Sequence, residues 1–421
     1  MITYGLCGKT LKHSYSKLIH EKLGNSEYRL LNLEKDEFYE LLESRSFKAC
    51  NVTIPYKKDA YSLCTVLSKE AQSIGSVNTV VNKNGVLYGY NTDYAGFEYM
   101  LRRAGITLEN KNVIILGTGG TSLTAQAVAK DSAAKSITVV SRTGKVNYNN
   151  VYDKTDTEVI INTTPVGMYP DNGRCAVDVS KFPKLCAVVD VIYNPLKTKI
   201  LADAQKLGIK NTGGLPMLVY QAVKAHELFF DTEVPADVPE KILSECLFET
   251  ANIVLVGMPG CGKTSIGTEI AKKLGRVFLD TDKFVEQSGL TIPEIFERYG
   301  EKDFRNRETE AVKMLTALSG KVIATGGGSV LDSENVRMMH QNGIVVYIKR
   351  PLDKLATDGR PLSDGGMEKL QKLFEQRREV YQNVSDIEVE TDGDIQKCAE
   401  NIIDGVKKNI AVLCPGNAAE E

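Results

Sequence analysis

The sequence contains no Cys-x-x-Cys pair, and its nine cysteines (Cys7, Cys50, Cys64, Cys175, Cys186, Cys246, Cys261, Cys398 and Cys414) are spread singly and odd in number. That pattern argues against a disulfide framework and for reduced thiols. Histidine is scarce, and His13, His20, His226 and His340 are too scattered to suggest a His/Cys zinc site. A basic excess is also missing, since the formal net charge is −2; binding to nucleic acid or to a membrane surface is therefore not expected. No stretch reaches the roughly 18 apolar residues of a membrane helix, and the N-terminal MITYGLCGKTLKHSYSK has no basic segment followed by an apolar run. These absences lead us to expect a cytoplasmic protein with small-molecule substrates. The oligomeric state is left open, a homo-oligomer included.

What is present is a chain of 421 residues, 42% hydrophobic and 25% charged. A single core seldom grows that large, so two or three globular domains are expected. Short apolar runs alternate with helix-like stretches, the pattern of α/β units with parallel sheets. Strand candidates are Asn112–Leu116, Ser136–Val140, Glu158–Asn162, Ala187–Val191, Asn252–Val256, Lys321–Thr325 and Ile344–Ile348. The acidic, proline-containing segment FFDTEVPADVPE (229–240) and a helix-like Lys241–Phe248 place the main boundary near Glu249. About 250 residues precede it and about 170 follow, both ordinary domain sizes. The tail from Ile410 to Glu421 reads as a frayed terminus.

Two glycine-rich loops follow apolar runs. In VLVGMPGCGKT (254–264), Gly257, Gly262, Lys263 and Thr264 satisfy the pattern of a loop that cradles a triphosphate, between a strand and a helix-like Ile266–Leu274. The glycines let backbone N–H groups turn toward phosphate oxygens, and the helix N-terminus adds favourable potential. Lys263 is expected on the β- and γ-phosphates of ATP and Thr264 on Mg²⁺, with Gly260, Cys261, Gly262 and Ser265 completing the ATP-binding set. A chance glycine turn is the alternative, made less frequent by the flanking strand and helix.

The other loop, VIILGTGGTS (113–122), has no lysine and matches a dinucleotide fingerprint, with Ser122 at the third glycine position and a helix-like Leu123–Lys130 after it. The next strand ends in Ser141, Arg142 and Thr143 rather than in an acid. An acid would accept a ribose 2′-hydroxyl, whereas Arg142 offers a cation to a 2′-phosphate, so NADP(H) is the expected cofactor. Lys145 is either a second cation or a solvated turn residue. Gly117, Gly119, Gly120, Thr163 and Gly214 complete the cofactor set.

After the triphosphate loop come FLDTD (278–282), IFERYGEKDFRNRE (295–308), ATGGG (324–328), GRPL (359–362) and RREVY (377–381), in that order. This half resembles shikimate kinase. The resemblance implies that Arg305 and Arg377 hold the substrate carboxylate, that Asp282 orients the attacking hydroxyl, and that Asp280 lies near Mg²⁺. It also implies that Gly327 and Gly328 let the backbone approach the ring and that Arg360 reaches ATP from a lid. Taken singly, Arg305 and Glu308, three residues apart, also fit a helix ion pair, and Arg377 an ordinary surface charge. The segment LDKLATDG is shorter than the lid of most relatives and lacks a further arginine usually carried upstream; this bears on rate and ATP affinity.

Around the first loop lie HSYS (13–16), NVTIPYK (51–57), SVNT (76–79), NTD (91–93), INTTPVG (161–167), DVIYNP (190–195) and GGLPMLVYQ (213–221). Together they resemble shikimate dehydrogenase over about the first 248 residues. By that resemblance Ser14 and Ser16 bind the substrate carboxylate, Thr53, Asn78, Tyr193 and Gln221 hold the rest of the substrate, and Lys57 and Asp93 form the catalytic pair. The alternative for the pair is a structural salt bridge. Departures are Lys17 in place of proline, Thr118, Thr121 and Leu123 in the loop, and Pro216 in place of glycine; none removes a proposed catalytic group. Ser16, where quinate-using relatives often carry threonine, favours shikimate.

The expected architecture is therefore α/β throughout. Residues 1–100 form a substrate domain completed by helices within 216–248, residues 101–215 a Rossmann-like NADP domain, and residues 249–421 a P-loop kinase domain with a parallel sheet flanked by helices. The implied function is a fused enzyme that reduces 3-dehydroshikimate and phosphorylates shikimate. Alternatives are a quinate-type dehydrogenase joined to a weakly active or regulatory kinase-like domain, or a scaffold without turnover.

Overall fold

The computed structural model describes residues 2–11, 14–355 and 366–413, and the chain divides into two compact units, 1–243 and 244–421. The division falls inside the helix Val238–Thr250, a few residues before the boundary expected at Glu249.

The first unit holds two sheets. One contains β1 (Ile2–Gly8), β2 (Tyr28–Asn32), β3 (Phe47–Val52), β4 (Val66–Leu67), β5 (Thr79–Lys83) and β6 (Val86–Tyr90) in the order β2-β1-β3-β5-β6-β4. It is mixed: β1 runs parallel to β2 and β3, while β5 is antiparallel to β3 and β6. The other contains β7 (Asn112–Leu116), β8 (Ser136–Val140), β9 (Val159–Asn162), β10 (Ala187–Asp190) and β11 (Lys210–Thr212), all parallel, in the order β11-β10-β9-β7-β8. β7 is the run NVIIL, apolar because helices cover both faces of such a strand.

The second unit is built on one parallel sheet of β12 (Asn252–Val256), β13 (Phe278–Asp280), β14 (Val322–Ala324), β15 (Gly343–Lys349) and β16 (Ile387–Glu390), ordered β13-β14-β12-β15-β16. In both parallel sheets the strand order reverses at the strand that feeds a glycine loop. β7 lies between β9 and β8, and β12 between β14 and β15. Such a reversal opens a crevice at the carboxyl ends of the strands, where open α/β sheets bind ligands.

Close helix packing positions the substrate side of the first unit. A Cβ on Gly96, in the helix Thr92–Arg103, would lie 2.6 Å from the Met217 carbonyl and 3.1 Å from Gln221 Cβ in the helix Leu215–Phe230. Only glycine allows that approach, which brings Gln221 beside the helix whose first turn carries Asp93. Gly214 is tighter still, with a Cβ position 2.0 Å from the Val191 carbonyl. Gly214→Ala is therefore expected to destabilise the first unit by about 2–3 kcal/mol, or roughly 5–10 °C in a thermal melt. Gly120→Ala, whose Cβ would meet nothing within 4 Å, should leave the melt nearly unmoved.

One expectation is corrected. The C-terminal helix Ile395–Leu413 continues past Ile410, and Ile410 is buried against the second unit's core. The apolar stripe Cys398, Ile402, Ile403, Val406, Ile410 keeps helical spacing to that point, so the residue is anchored rather than frayed.

Candidate functional sites

Lys57 opens the helix Lys57–Leu63, and Asp93 sits in the first turn of the helix Thr92–Arg103. Their side chains meet, with Lys57 Nζ donating to Asp93 Oδ2 at 2.5 Å, and both are largely withdrawn from solvent. The pair is held by a polar network behind it. Asn78 Oδ1 accepts from the Thr92 backbone N–H at 2.8 Å, from Thr92 Oγ1 at 3.2 Å and from Thr79 Oγ1 at 3.0 Å. Asn51 donates to Thr79 Oγ1 and accepts from the buried Tyr28 hydroxyl. With its carbonyl occupied in this way, the Asn78 amide N–H₂ remains the group able to meet a ligand.

The two serines are linked through the loop, the Ser16 N–H donating to Ser14 Oγ at 3.2 Å. The Tyr15 ring between them lies 5.3 Å from the ring of Tyr193, which brings the loop after β10 to the serine pair. Burial pushes the Tyr193 phenol up to about 12, so it is neutral at ordinary pH. Gln221 is buried and donates to the Leu218 carbonyl at 2.9 Å, while Thr53 packs its methyl toward Gly8. His13 lies outside the described residues.

At the first glycine loop, Gly117 has φ +104 and a Cβ position 3.0 Å from Thr163 Oγ1, so a side chain there would be strained and crowded. Thr163 Oγ1 donates to the Leu116 carbonyl at 2.6 Å, and the buried Ser122 donates to the Gly117 carbonyl at 2.7 Å. These bonds brace the loop from behind. In front, Gly119 and Gly120 face open space, and the helix Gly120–Asp131 starts without a side-chain cap. Its first N–H groups are thus available to a pyrophosphate. Beyond β8, Ser141 is closed over by the turn at Gly144, while Arg142, Thr143 and Lys145 are exposed.

The second loop has left-handed or otherwise positive φ at Gly257, Gly260 and Gly262 and leads into the helix Lys263–Leu274, again uncapped by a side chain. Lys263 is buried, and its ammonium donates to the Gly257 carbonyl at 2.8 Å and the Met258 carbonyl at 3.0 Å. Thr264 Oγ1 donates to Asp280 Oδ2 at 2.9 Å. The other Asp280 oxygen accepts from the Asp282 N–H, which fixes the turn that presents Asp282. A hydroxyl and a carboxylate at this separation are the hard-oxygen donors that suit Mg²⁺.

The loop, Asp280, Asp282, Arg305, Gly326, Gly327, Gly328 and Arg377 line one cavity of about 450 Å³. Arg305 pairs with Glu308 at 2.8 Å and with Glu301 at 3.1 Å. The first contact is the three-apart ion pair considered from sequence, but Glu308 is 2% exposed and accepts a second bond from Ser329 at 2.7 Å. A carboxylate held on both oxygens aims the guanidinium rather than decorating a surface. Arg377 is 5% exposed, and its Nη1 has no hydrogen-bond partner. The surface-charge reading of Arg377 is therefore incorrect, because an orphaned guanidinium N–H at a cavity wall needs an acceptor.

The glycines at 327 and 328 also make room within the protein. A Cβ on Gly328 would lie 2.5 Å from Arg305 Nη1 and one on Gly327 would lie 2.8 Å from Pro259. They make room for the arginine and the triphosphate loop. Arg360 lies outside the described residues, as does half of the segment LDKLATDG.

Several supporting residues escaped the sequence reading. Asp190 is fully buried, accepts from Asn162, Thr198 and the Ile192 N–H, and is pushed up to about 6 by burial. Glu308, Ser329 and Tyr381, whose hydroxyl donates to the Gly327 carbonyl at 2.5 Å, brace the kinase cavity. The available signals were weak: Asp190, Glu308 and Tyr381 are polar residues inside quoted motifs, without their long-range partners, and Ser329 lies one residue past one.

Comparison with known proteins completes the description. A family model described as shikimate kinase matches residues 259–407, and one described as the shikimate dehydrogenase substrate binding domain matches residues 6–80. The shikimate dehydrogenase (NADP(+)) of Clostridium perfringens is 38% identical over 266 residues, covering 58% of this chain and 98% of its own length. Among solved structures, shikimate dehydrogenase 1 from Peptoclostridium difficile is 33% identical with a TM-score of 0.54, covering 58% of this chain and 98% of that one. Shikimate 5-dehydrogenase from Thermus thermophilus, solved with NADP(H) and shikimate, is 28% identical with a TM-score of 0.52, covering 58% of this chain and 99% of that one.

Proposed function

Because the chain belongs to the shikimate dehydrogenase family over its N-terminal unit and carries a shikimate kinase domain in its C-terminal unit, we propose that it catalyses two consecutive reactions. The first unit reduces 3-dehydroshikimate to shikimate with NADPH. The second transfers the γ-phosphoryl group of ATP to the 3-hydroxyl of shikimate. The observation that carries the first reaction is the withdrawn Lys57–Asp93 pair at 2.5 Å. For the second it is the convergence of Lys263, Asp282, Arg305 and Arg377 on one cavity.

The uncapped start of the helix Gly120–Asp131 would hold the pyrophosphate of NADPH, which would supply the hydride when bound. As the ketone oxygen gains charge, the Lys57 ammonium supplies the proton to it, and Asp93 holds the ammonium in place and balances its charge. Ser14, Ser16, Thr53, Asn78, Tyr193 and Gln221 orient the substrate. Gly117, Gly119, Gly120, Thr163 and Gly214 shape the cofactor cradle, and Ser141, Arg142 and Thr143 receive the 2′-phosphate. Arg142→Ala should raise KM for NADPH about tenfold to a hundredfold while leaving the weaker NADH reaction nearly unchanged; an equal loss with both cofactors would show that Arg142 does not read the phosphate.

In the second unit, the backbone N–H groups of Gly260, Cys261 and Gly262, with Lys263 and Ser265, hold the phosphates. Thr264 and Asp280 would hold Mg²⁺, which would supply positive charge to offset that of the phosphates. Asp282 accepts the attacking hydroxyl, and Arg305 and Arg377 take the carboxylate in charge-assisted bonds. Separate assays test the two halves: NADP⁺-linked oxidation of shikimate against NAD⁺-linked oxidation of quinate, and ADP release with shikimate as acceptor. Preference for quinate with NAD⁺ would overturn the first assignment, and absent ADP release would leave the second unit a nucleotide-binding regulator.

A further inference from the structure

The kinase reading leaves one cation without a role. Arg350 follows β15 and, unlike Arg305, belongs to no motif quoted above. It lines the 450 Å³ cavity of the triphosphate loop and also a neighbouring cavity of about 650 Å³. Its head group lies between two glycines. Nη1 is 3.9 Å from the Cβ position of Gly262, the residue that caps the P-loop helix, and Nη2 is 3.3 Å from that of Gly393. Gly262 and Gly393 both have positive φ, +102 and +116, so the backbone on either side of the guanidinium is free of side chains.

The electrostatics of Arg350 are incomplete. Its Nε is buried without a hydrogen-bond partner, and no carboxylate among the described residues forms an ion pair with it. Asp392 and Asp394 share the larger cavity, yet the Asp392 carboxylate accepts from the Asp394 N–H, and Asp394 from the Lys397 N–H. A guanidinium that is half-buried and unpaired beside an uncapped helix start makes a second positive element aimed at the same space. The larger cavity beyond it is lined by Tyr347, Pro351, Phe374, Thr391 and Asn401 among others, room for the rest of a nucleotide.

We propose that Arg350 is a nucleotide-positioning residue that binds the non-transferred phosphates where they leave the P-loop toward the larger cavity. The proposal rests on the kinase reading above. A planar fork there can donate to two phosphate oxygens at once. Its contact would be made with ATP and with ADP alike, because the phosphates that are not transferred are common to both.

The test uses the full chain and its Arg350→Ala and Arg350→Lys variants, measuring KM for ATP, Kd for ADP, kcat, and KM for shikimate. Arg350→Ala should raise KM for ATP and Kd for ADP together by on the order of tenfold or more, with kcat within about threefold and KM for shikimate unchanged. Arg350→Lys should recover part of the ADP affinity, which a merely structural arginine would not do. Unchanged ADP affinity in an Arg350→Ala chain that still melts like wild type would overturn the proposal. Wild-type chain that binds no ADP would instead overturn the kinase reading, and this proposal with it. NADPH oxidation by the same samples reports that the variant chains are intact.

Discussion

Lys57→Met should reduce the rate of 3-dehydroshikimate reduction by about a thousandfold or more, while phosphoryl transfer by the same chain stays within about twofold of wild type. The size follows from the role. A positioned general acid contributes on the order of 10²–10⁴, and here the same group also balances the charge developing on the ketone oxygen. Methionine keeps most of the stem volume, so the loss falls on the ammonium. Asp93, left without its partner in a withdrawn position, would carry an uncompensated charge, and some loss of stability is expected as well. Asp93→Asn separates the effects, since the amide preserves shape and leaves Lys57 without its anion. The measurements are kcat/KM for NADPH oxidation, ADP release with shikimate, and a thermal melt. Reduction within tenfold of wild type in Lys57→Met would show that the pair is a structural bridge. Kinase independence is expected because each unit has its own sheet and core.

Lys263→Ala should produce the reciprocal pattern, with ADP release falling on the order of a thousandfold and NADPH oxidation unaffected. In the structure the ammonium bonds the carbonyls of Gly257 and Met258. It is buried at the floor of the loop, where its charge is poorly screened and acts strongly on a phosphoryl group. Phosphoryl transfer relies on positioning and charge neutralisation rather than covalent chemistry, so removal of this cation is costly. Removing the bonds to the two carbonyls also loosens the loop, and ADP affinity should fall with the rate. Arg377→Ala provides the contrast: KM for shikimate should rise while ADP affinity holds, because the proposed function gives the acceptor carboxylate to Arg377, whose Nη1 has no hydrogen-bond partner. If Lys263→Ala retained ADP release above a tenth of wild type, the loop would not be the transfer site.

The parts legible in the sequence were those with local causes. β7 and β12 coincide with the runs expected, because inner parallel strands must be apolar on both faces and end where a glycine loop begins, and the edge strand β8 coincides as well. The helices after both loops start earlier than the apolar periodicity suggested, at Gly120 and Lys263, because their first turns are polar and face a ligand crevice rather than the core. The two glycine loops, the lysine of the second and the basic end of β8 were readable from residue type and spacing alone.

What was not readable depends on partners far along the chain. Arg305 and Glu308 looked like any helix pair until Ser329 was found on the second carboxylate oxygen. Nothing in the local sequence shows that Gly328 also makes room for Arg305. Tyr381 supports Gly327 across 54 residues, and Asp190 gathers Asn162 and Thr198 from separate segments. Arg350 belongs to no motif, and only its place between Gly262 and Gly393 singles it out. Spacing fixes which residues share a short stretch, whereas these roles arise from which stretches the sheet brings together.

The central claim is that two glycine loops serve two reactions on one metabolite. The most direct measurement supplies the purified chain with 3-dehydroshikimate, NADPH and Mg·ATP and follows NADPH, ADP and the organic product together. We expect NADPH oxidation, ADP release and shikimate 3-phosphate in equal amounts at completion, with shikimate accumulating when ATP is left out. NADPH oxidation that stops at shikimate despite ample Mg·ATP, with no ADP formed, would contradict the account.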